Sequence, residues 1–168
     1  LRMSREKENL YFEEIPPAPS EFSKKKPSSE PEGWSLSEAM LFERIQKVQE
    51  AELYRKTGAA HVGALFSKEG TLLVLREDPG RYHAADKTLG WGLRERLDFR
   101  DTFFLFSGRM PESLIRKMAL LEIPLVASVS APTFEGVLLA EEKNITLIGF
   151  LRPPRMNLYV RGRISLEE

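Results

Sequence analysis

The sequence predicts a three-layer α/β/α domain built on a mixed, mostly parallel sheet. Three observations predict it. Beyond residue 34, apolar runs alternate with helical patterns in the order helix, hairpin, helix, strand, helix, strand, helix, strand. That alternation gives a largely parallel sheet covered on both faces. The run from Asp101 to Phe106 is too apolar to be half exposed, which marks a central strand. Pro-Gly, Ser-Gly and Ala-Pro pairs then fall where apolar runs give way to helical patterns, as breaks between strands and helices do.

Residues 1–34 differ from the rest. Arg5-Glu6-Lys7-Glu8, the patch Leu10-Tyr11-Phe12, five prolines between positions 16 and 31 and the run Lys24-Lys25-Lys26 bury little surface. The segment is predicted to be extended or mobile, with the lysines as a solvated linker or an anion or partner contact. Ser35-Leu36-Ser37-Glu38 fits a capping box. Leu41, Ile45 and Val48 follow at helical spacing, predicting a helix over 36–55 that ends at Thr57-Gly58. Residues 59–66 and 71–75, joined by a turn at 67–70, read as an antiparallel hairpin. Ala84, Ala85, Leu89 and Leu93 predict a helix over 80–96. A strand at 101–106 leads through Ser107-Gly108-Arg109 to Pro111, which suits a first helical residue. Leu114, Ile115, Met118 and Leu121 give that helix its buried face. A strand at 124–128 and the turn Ser130-Ala131-Pro132-Thr133 precede a helix running to Glu142. A fifth strand spans 145–150, Arg152-Pro153-Pro154-Arg155 interrupts, and 157–160 forms a sixth. The domain is expected over 35–163, with 164–168 as a tail.

Composition narrows the function. At 168 residues the chain has room for one ordinary domain. Lys+Arg and Asp+Glu are both 25, so the net charge is zero, which argues against bulk nucleic-acid binding. No apolar run approaches the roughly 18 residues of a membrane helix, and a cytoplasmic protein without membrane attachment is expected. The chain has no cysteine, which excludes disulfides, thiolate zinc sites and cysteine nucleophiles within it.

The chemistry collects in Arg76-Glu77-Asp78-Pro79-Gly80-Arg81-Tyr82-His83-Ala84-Ala85-Asp86-Lys87, where a buried strand ends and a helix begins. In open α/β sheets ligands bind at that edge. Three strand-to-helix junctions should open there: Glu77 to Lys87, Ser107 to Pro111, and Ser130 to Thr133. The last two bring N–H groups and hydroxyls to helix N-termini, which favour anions. Arg81 and Arg109 lie beside them, and Arg152 and Arg155 follow the fifth strand. Four convergent arginines suit a phosphate-bearing ligand. Each feature also has a plain structural reading. Arg76 with Glu77 or Asp78, Asp86 with Lys87, and Arg109 with Glu112 could be ordinary ion pairs, and Pro153-Pro154 could only end a strand. His61, alone in a strand, could be packed and hydrogen-bonded. No GxGxxG, Walker loop or GxSxG elbow is present. The sheet order resembles cytidine deaminases, but two histidines without cysteine leave a catalytic zinc short of its usual ligands, so no metal is expected.

Residues from about Trp34 to Arg161 resemble the formate dehydrogenase accessory protein family, the FdhD/NarQ type, in its C-terminal domain. Five motifs carry the resemblance: Thr57-Gly58-Ala59-Ala60-His61, the stretch 76–87, Ser107-Gly108-Arg109, Ser130-Ala131-Pro132-Thr133, and Leu147-Ile148-Gly149-Phe150-Leu151-Arg152. The resemblance implies a cytidine-deaminase-like fold without the deaminase metal. It implies a homodimeric sulfur carrier that takes persulfide sulfur from a cysteine desulfurase. The sulfur goes to the bis-molybdopterin guanine dinucleotide cofactor, bound as cargo for molybdenum-dependent formate dehydrogenase. A guanine nucleotide is then the expected surrogate ligand.

On that basis Phe150, Leu151, Arg152, Pro153, Pro154 and Arg155, with Ser107, Gly108, Arg109, Ser130 and Thr133, are the expected cofactor-binding residues. His61, Asp78, Arg81, His83, Asp86 and Lys87 are expected to shape the pocket or its partner contacts. Two departures stand out. Where the family usually has Arg-His-Asn-Ala, this chain has Arg81-Tyr82-His83-Ala84. The family also carries a Cys-Gly-x-Cys-Gly segment and a further domain upstream. These residues contain neither, so a fragment, part of a longer chain, or a homologue without the carrier thiol is expected. The alternative function is a noncatalytic nucleotide-binding chaperone for a molybdoenzyme, and a hydrolase on the deaminase scaffold is a third, requiring metal.

Overall fold

The structure, a computed structural model, describes residues 2–6, 9–13 and 34–167. The chain divides into two units, Leu1–Glu32 and Gly33–Glu168. In the first, β1 (Arg2–Glu6) and β2 (Asn9–Glu13) pair antiparallel. The lysine run and the prolines expected to be extended lie outside the described residues.

The second unit opens with a short strand β3 (Ser35–Ser37), then α1 (Glu38–Gln49), α2 (Glu52–Thr57), β4 (His61–Ser67) and β5 (Leu72–Asp78). It continues with α3 (Arg81–Arg94), β6 (Thr102–Phe106), α4 (Glu112–Leu120), β7 (Leu125–Ser128), α5 (Phe134–Glu142), β8 (Thr146–Arg152), β9 (Arg155–Val160) and β10 (Ser165–Glu167). Six strands form one mixed sheet in the order β5-β4-β6-β7-β8-β9. The three central strands β6, β7 and β8 are parallel, while β4 and β9 pair antiparallel with their inner neighbours and β5 antiparallel with β4.

All five residues of β6 are buried. Alternation sends Phe104 and Phe106 to one face, among Leu89, Leu114, Met118 and Leu139 of α3, α4 and α5. It sends Phe103 and Leu105 to the other face, against Leu41, Ile45 and Val48 of α1. The result is the expected three layers, two of helices around one sheet. Because β5, β6 and β7 run the same way and each is followed by a helix on the same face, α3, α4 and α5 all start at one edge of the sheet.

Several boundaries differ from the sequence reading, the first of them through distant contacts. The helix expected at 36–55 is two helices. Ala51 is extended, with φ −54° and ψ 139°, and the Tyr54 N–H in the first turn of α2 donates to the Glu77 carboxylate at 2.7 Å. A side chain from β5 thus caps a new helix start. At its beginning, Ser37 and not Ser35 caps α1, accepting from the Met40 N–H at 3.2 Å. Ser35 is drawn into β3, which pairs in parallel with β10. Residues 165–167 are consequently a strand and not a tail. Pro111 stands one position earlier than expected, as the N-cap of α4. Finally, β8 runs through to Arg152 and β9 begins at Arg155, so Pro153-Pro154 forms the turn of a hairpin. Gly58 ends α2 at φ +62°, a conformation glycine adopts without steric cost.

Thr146 holds the C-terminal segment. It is fully buried, donates from its hydroxyl to the Ile164 carbonyl at 2.9 Å and accepts from the Ile164 N–H at 3.0 Å. Thr146→Val keeps the shape and orphans both groups. Denaturant unfolding should show a loss of about 1–3 kcal/mol, and an unchanged midpoint would contradict this role.

Candidate functional site

The candidate site is the sheet edge where β5, β6, β7 and β8 end and β4 begins. From the end of β5 to the end of β8 there are four inter-strand steps of about 4.8 Å, so the edge is roughly 19 Å long. That length exceeds a single phosphate and suits an elongated ligand.

The edge is stitched together by loop hydrogen bonds. Ser107 extends the β4–β6 ladder: its N–H donates to the Val62 carbonyl at 3.0 Å and its hydroxyl accepts from the Val62 N–H at 2.8 Å. Ser128, fully buried, donates to the Gly108 carbonyl at 2.7 Å and accepts from the Ser130 N–H at 3.1 Å. The next loops interlock, Met110 N–H to Ala131 carbonyl and Thr133 N–H to Met110 carbonyl, both at 3.1 Å. Thr133 also caps α5, its hydroxyl accepting from the Gly136 N–H. The β8–β9 hairpin is fastened to the same loop. Phe150 N–H donates to the Ser130 carbonyl at 3.1 Å, and Arg152 Nε donates to the Val129 carbonyl at 3.1 Å.

This stitching corrects several expected roles. The N–H groups of Ser130 and Thr133 are already used within the protein and are not spare donors for a ligand. Ser107 is buried and spent on Val62. Leu151 is fully buried in the α1-side core. Arg152 gives its Nε to the backbone, so it anchors the hairpin. What remains toward solvent is Arg109, the Phe150 ring, Arg152 beyond its engaged Nε, Pro153, Pro154 and Arg155. Phe150 sits at φ +51° with its side chain exposed, a conformation bulky residues rarely hold without a reason.

At the β5 end, Asp78 binds Lys87 Nζ at 2.5 Å and the Gly80 N–H at 2.8 Å, with His83 Nδ1 at 3.4 Å. The Lys87 hydrogen bond, then that from Gly80, holds the Asp78 carboxyl below the usual carboxylate range. Asp86 pairs instead with Lys117, tying α3 to α4, so it does not pair with Lys87. Glu112 pairs with Arg116 and not with Arg109. His61, at the start of β4, stacks on Phe106 at 6.4 Å between ring centres. A Cβ on Gly108 would stand 3.1 Å from His61 Nδ1 and 2.9 Å from the Phe106 ring, so only glycine lets the junction pass this close. Burial, then the charge of Arg81, lowers the His61 pKa. Arg81 lies over the Tyr82 ring at 5.0 Å.

Sequence reasoning missed a groove of about 470 Å³ on the α1 side of β9. It follows β9 from Pro154 and Arg155 to Arg161 and is closed by Glu38, Phe42 and Leu166. Its lining brings α1 against β9 and Leu166, from opposite ends of the domain's sequence, and no local pattern joins them. The Ser128 latch also escaped notice, because a serine ending an apolar run carries no signal of its partner. Among the described residues, no group of three or more His, Cys, Asp or Glu is placed to hold a metal ion. Among the described residues, no helix is long and apolar enough to cross a membrane.

The model of the FdhD/NarQ family matches residues 17–165. The chain belongs to the FdhD/NarQ family. The sulfur carrier protein FdhD of Mycolicibacterium paratuberculosis is 46% identical over 112 residues, covering 66% of this chain and 41% of its own. The FdhD of Shouchella clausii is 41% identical over 134 residues, covering 79% and 50%. The chain thus spans about half the length, or less, of these curated relatives. A crystal structure of a formate dehydrogenase accessory protein from Desulfotalea psychrophila matches 74% of this chain and 56% of that one. Its TM-score is 0.69 and its identity 30%. The diaminohydroxyphosphoribosylaminopyrimidine deaminase/5-amino-6-(5-phosphoribosylamino)uracil reductase of Thermotoga maritima matches 68% and 37% at TM-score 0.56 and 14% identity. The second likeness shows the fold alone, and it is the deaminase-like fold that the sheet order predicts.

Lys87→Gln tests the electrostatics of the β5 end. Asp78 has a depressed folded pKa, so the stability it lends is present above its ordinary value of 3.8 and is lost as pH falls through the folded value. In Lys87→Gln a carboxyl NMR titration should find Asp78 moved back up toward 3.8. An unmoved midpoint would show that Lys87 does not set it.

Proposed function

We propose that this domain is the cofactor-binding part of a sulfur carrier that serves formate dehydrogenase. The observation that carries the reading is the β8–β9 hairpin. Its base is latched to the β7 loop through Phe150 N–H and Arg152 Nε, while the Phe150 ring is left to solvent and Arg155 lines a groove. An exposed aromatic ring and a guanidinium carried on one fixed hairpin suit a purine nucleotide with its phosphates. Arg109, exposed on the neighbouring junction, adds a second cation for an extended anionic ligand.

The cargo we propose is the bis-molybdopterin guanine dinucleotide cofactor, bound as substrate and not as a resident group. A cysteine desulfurase is the proposed sulfur source and molybdenum-dependent formate dehydrogenase the proposed recipient, with a homodimer in the cytoplasm as the working form. These 168 residues contain no cysteine, so their share of the task is to bind and orient the cargo. The names of the relatives support the carrier reading, and the roughly 19 Å edge supports a dinucleotide-sized ligand.

Calorimetry with GDP tests the reading. GDP should bind, and Arg155→Ala should weaken it about tenfold, the scale of one charge-assisted hydrogen bond. Equal affinity in the variant would remove Arg155 from the site, and no GDP binding by the folded chain would overturn the cofactor reading.

A further inference from the structure

Two strands end the six-stranded sheet, β5 and β9, and each has one edge that no strand pairs among the described residues. Open edges invite pairing with other chains, and proteins guard them with charged residues. β5 is guarded, since Arg76, Glu77 and Asp78 make three of its seven residues charged. β9 is not. It reads Arg155-Met156-Asn157-Leu158-Tyr159-Val160, with one charge, at its first position. At about 3.3 Å per residue, β9 offers roughly 20 Å of unpaired backbone.

The open edge borders the groove of about 470 Å³. Met156 and Leu158 of β9, Phe42 of α1 and Leu166 of β10 are half-buried there, packed on the α1-side core beneath and open to the groove above. β10 does not close the gap. It pairs with β3 in a sheet of two three-residue strands, a size that is marginal by itself.

The charges of the lining say what fits. Arg155 stands at one end and Arg161 lies six positions on. Among the described residues neither is in an ion pair. The one carboxylate in the lining, Glu38, lies in the first turn of α1, where the helix N-terminus already favours a negative charge. The groove thus combines two unpaired cations, an apolar floor between them and a row of free strand N–H and C=O groups. A nucleotide has no use for the strand backbone, whereas an extended polypeptide uses all three.

We propose that the groove docks an extended acidic segment of another protein, added as a seventh strand beside β9. Main-chain hydrogen bonds to β9 hold the segment. Alternate apolar side chains enter among Phe42, Met156, Leu158 and Leu166, and flanking carboxylates meet Arg155 and Arg161. This goes beyond the nucleotide reading and does not depend on it.

The probe is a blocked heptapeptide, Glu-Thr-Val-Thr-Val-Thr-Glu, whose glutamates lie roughly 20 Å apart when extended. At millimolar concentration it should shift the amides of 155–161 in the whole chain, with those near Phe42 and Leu166, and slow hydrogen exchange along the open edge of β9. A peptide with lysine for both glutamates should bind about tenfold more weakly, and one N-methylated along its backbone should not bind. Arg161→Glu, at an exposed site, should weaken the glutamate peptide about tenfold and strengthen the lysine peptide. Unchanged amide shifts outside the groove report that the variant is folded.

No shift in β9 at millimolar glutamate peptide, shifts confined to other surfaces, or equal binding by the N-methylated peptide overturns the docking site. A dimer seen by sedimentation, with the β9 amides already protected, also overturns it, since a second copy then fills the edge. GDP that displaces the peptide from 156–161 overturns the docking site and moves the nucleotide to the groove. Peptide binding by a chain that binds no GDP upholds the docking site and overturns the nucleotide reading alone.

Discussion

Every side chain of β6, from Thr102 to Phe106, is buried, and the rest of the domain answers to that constraint. A strand with no exposed face must be covered on both sides and paired on both edges. The α1 helix supplies one cover, and α3, α4 and α5 supply the other. Putting three successive crossover helices on one face fixes where they start. Their N-termini, and the loops leading into them, fall along a single edge. The location of the candidate site is thus a consequence of how the core is closed.

The edge divides into a part that is spent and a part that is not. Ser107, Ser128, Ser130 and Thr133 use their polar groups on neighbouring loops. They rigidify the junctions and hold the β8–β9 hairpin at a fixed height. Asp78, Lys87 and His83 form a neutralised cluster at the opposite end. Against this satisfied background the unspent groups stand out: Arg109, Arg155 and the exposed ring of Phe150. A preorganised frame carrying a few unpaired cationic groups is what a binding site for an anionic ligand requires.

Much of this was legible in the sequence, because the signals were local. Leu41, Ile45 and Val48 repeat at helical spacing and are buried. The apolar run of β6 announced a central strand, and Gly58 marked a helix end. The misreadings arose where a distant residue overrode a local pattern. Glu77 starts α2 from 23 positions away, and Ser35 is claimed by a C-terminal strand that no capping rule could foresee. The site shows the same division. Clusters of Ser, Thr and Arg at the junctions were visible, but whether each polar group faced a ligand or a neighbouring loop depended on register across strands. Arg152 and Arg155 look equivalent in sequence, yet the first is tied to Val129 and the second lines a groove.

The central claim is that the ligand edge, and not the outer groove alone, receives a guanine nucleotide. Backbone amide shifts recorded while GDP is added to the whole chain test it most directly. The account predicts that perturbed amides cluster at 61–63, 78–83, 107–110, 129–133 and 149–156, the residues that meet where β5 to β8 end. Perturbations confined to the α1 side, around Glu38, Phe42 and Leu166, would contradict it and move the site to the groove.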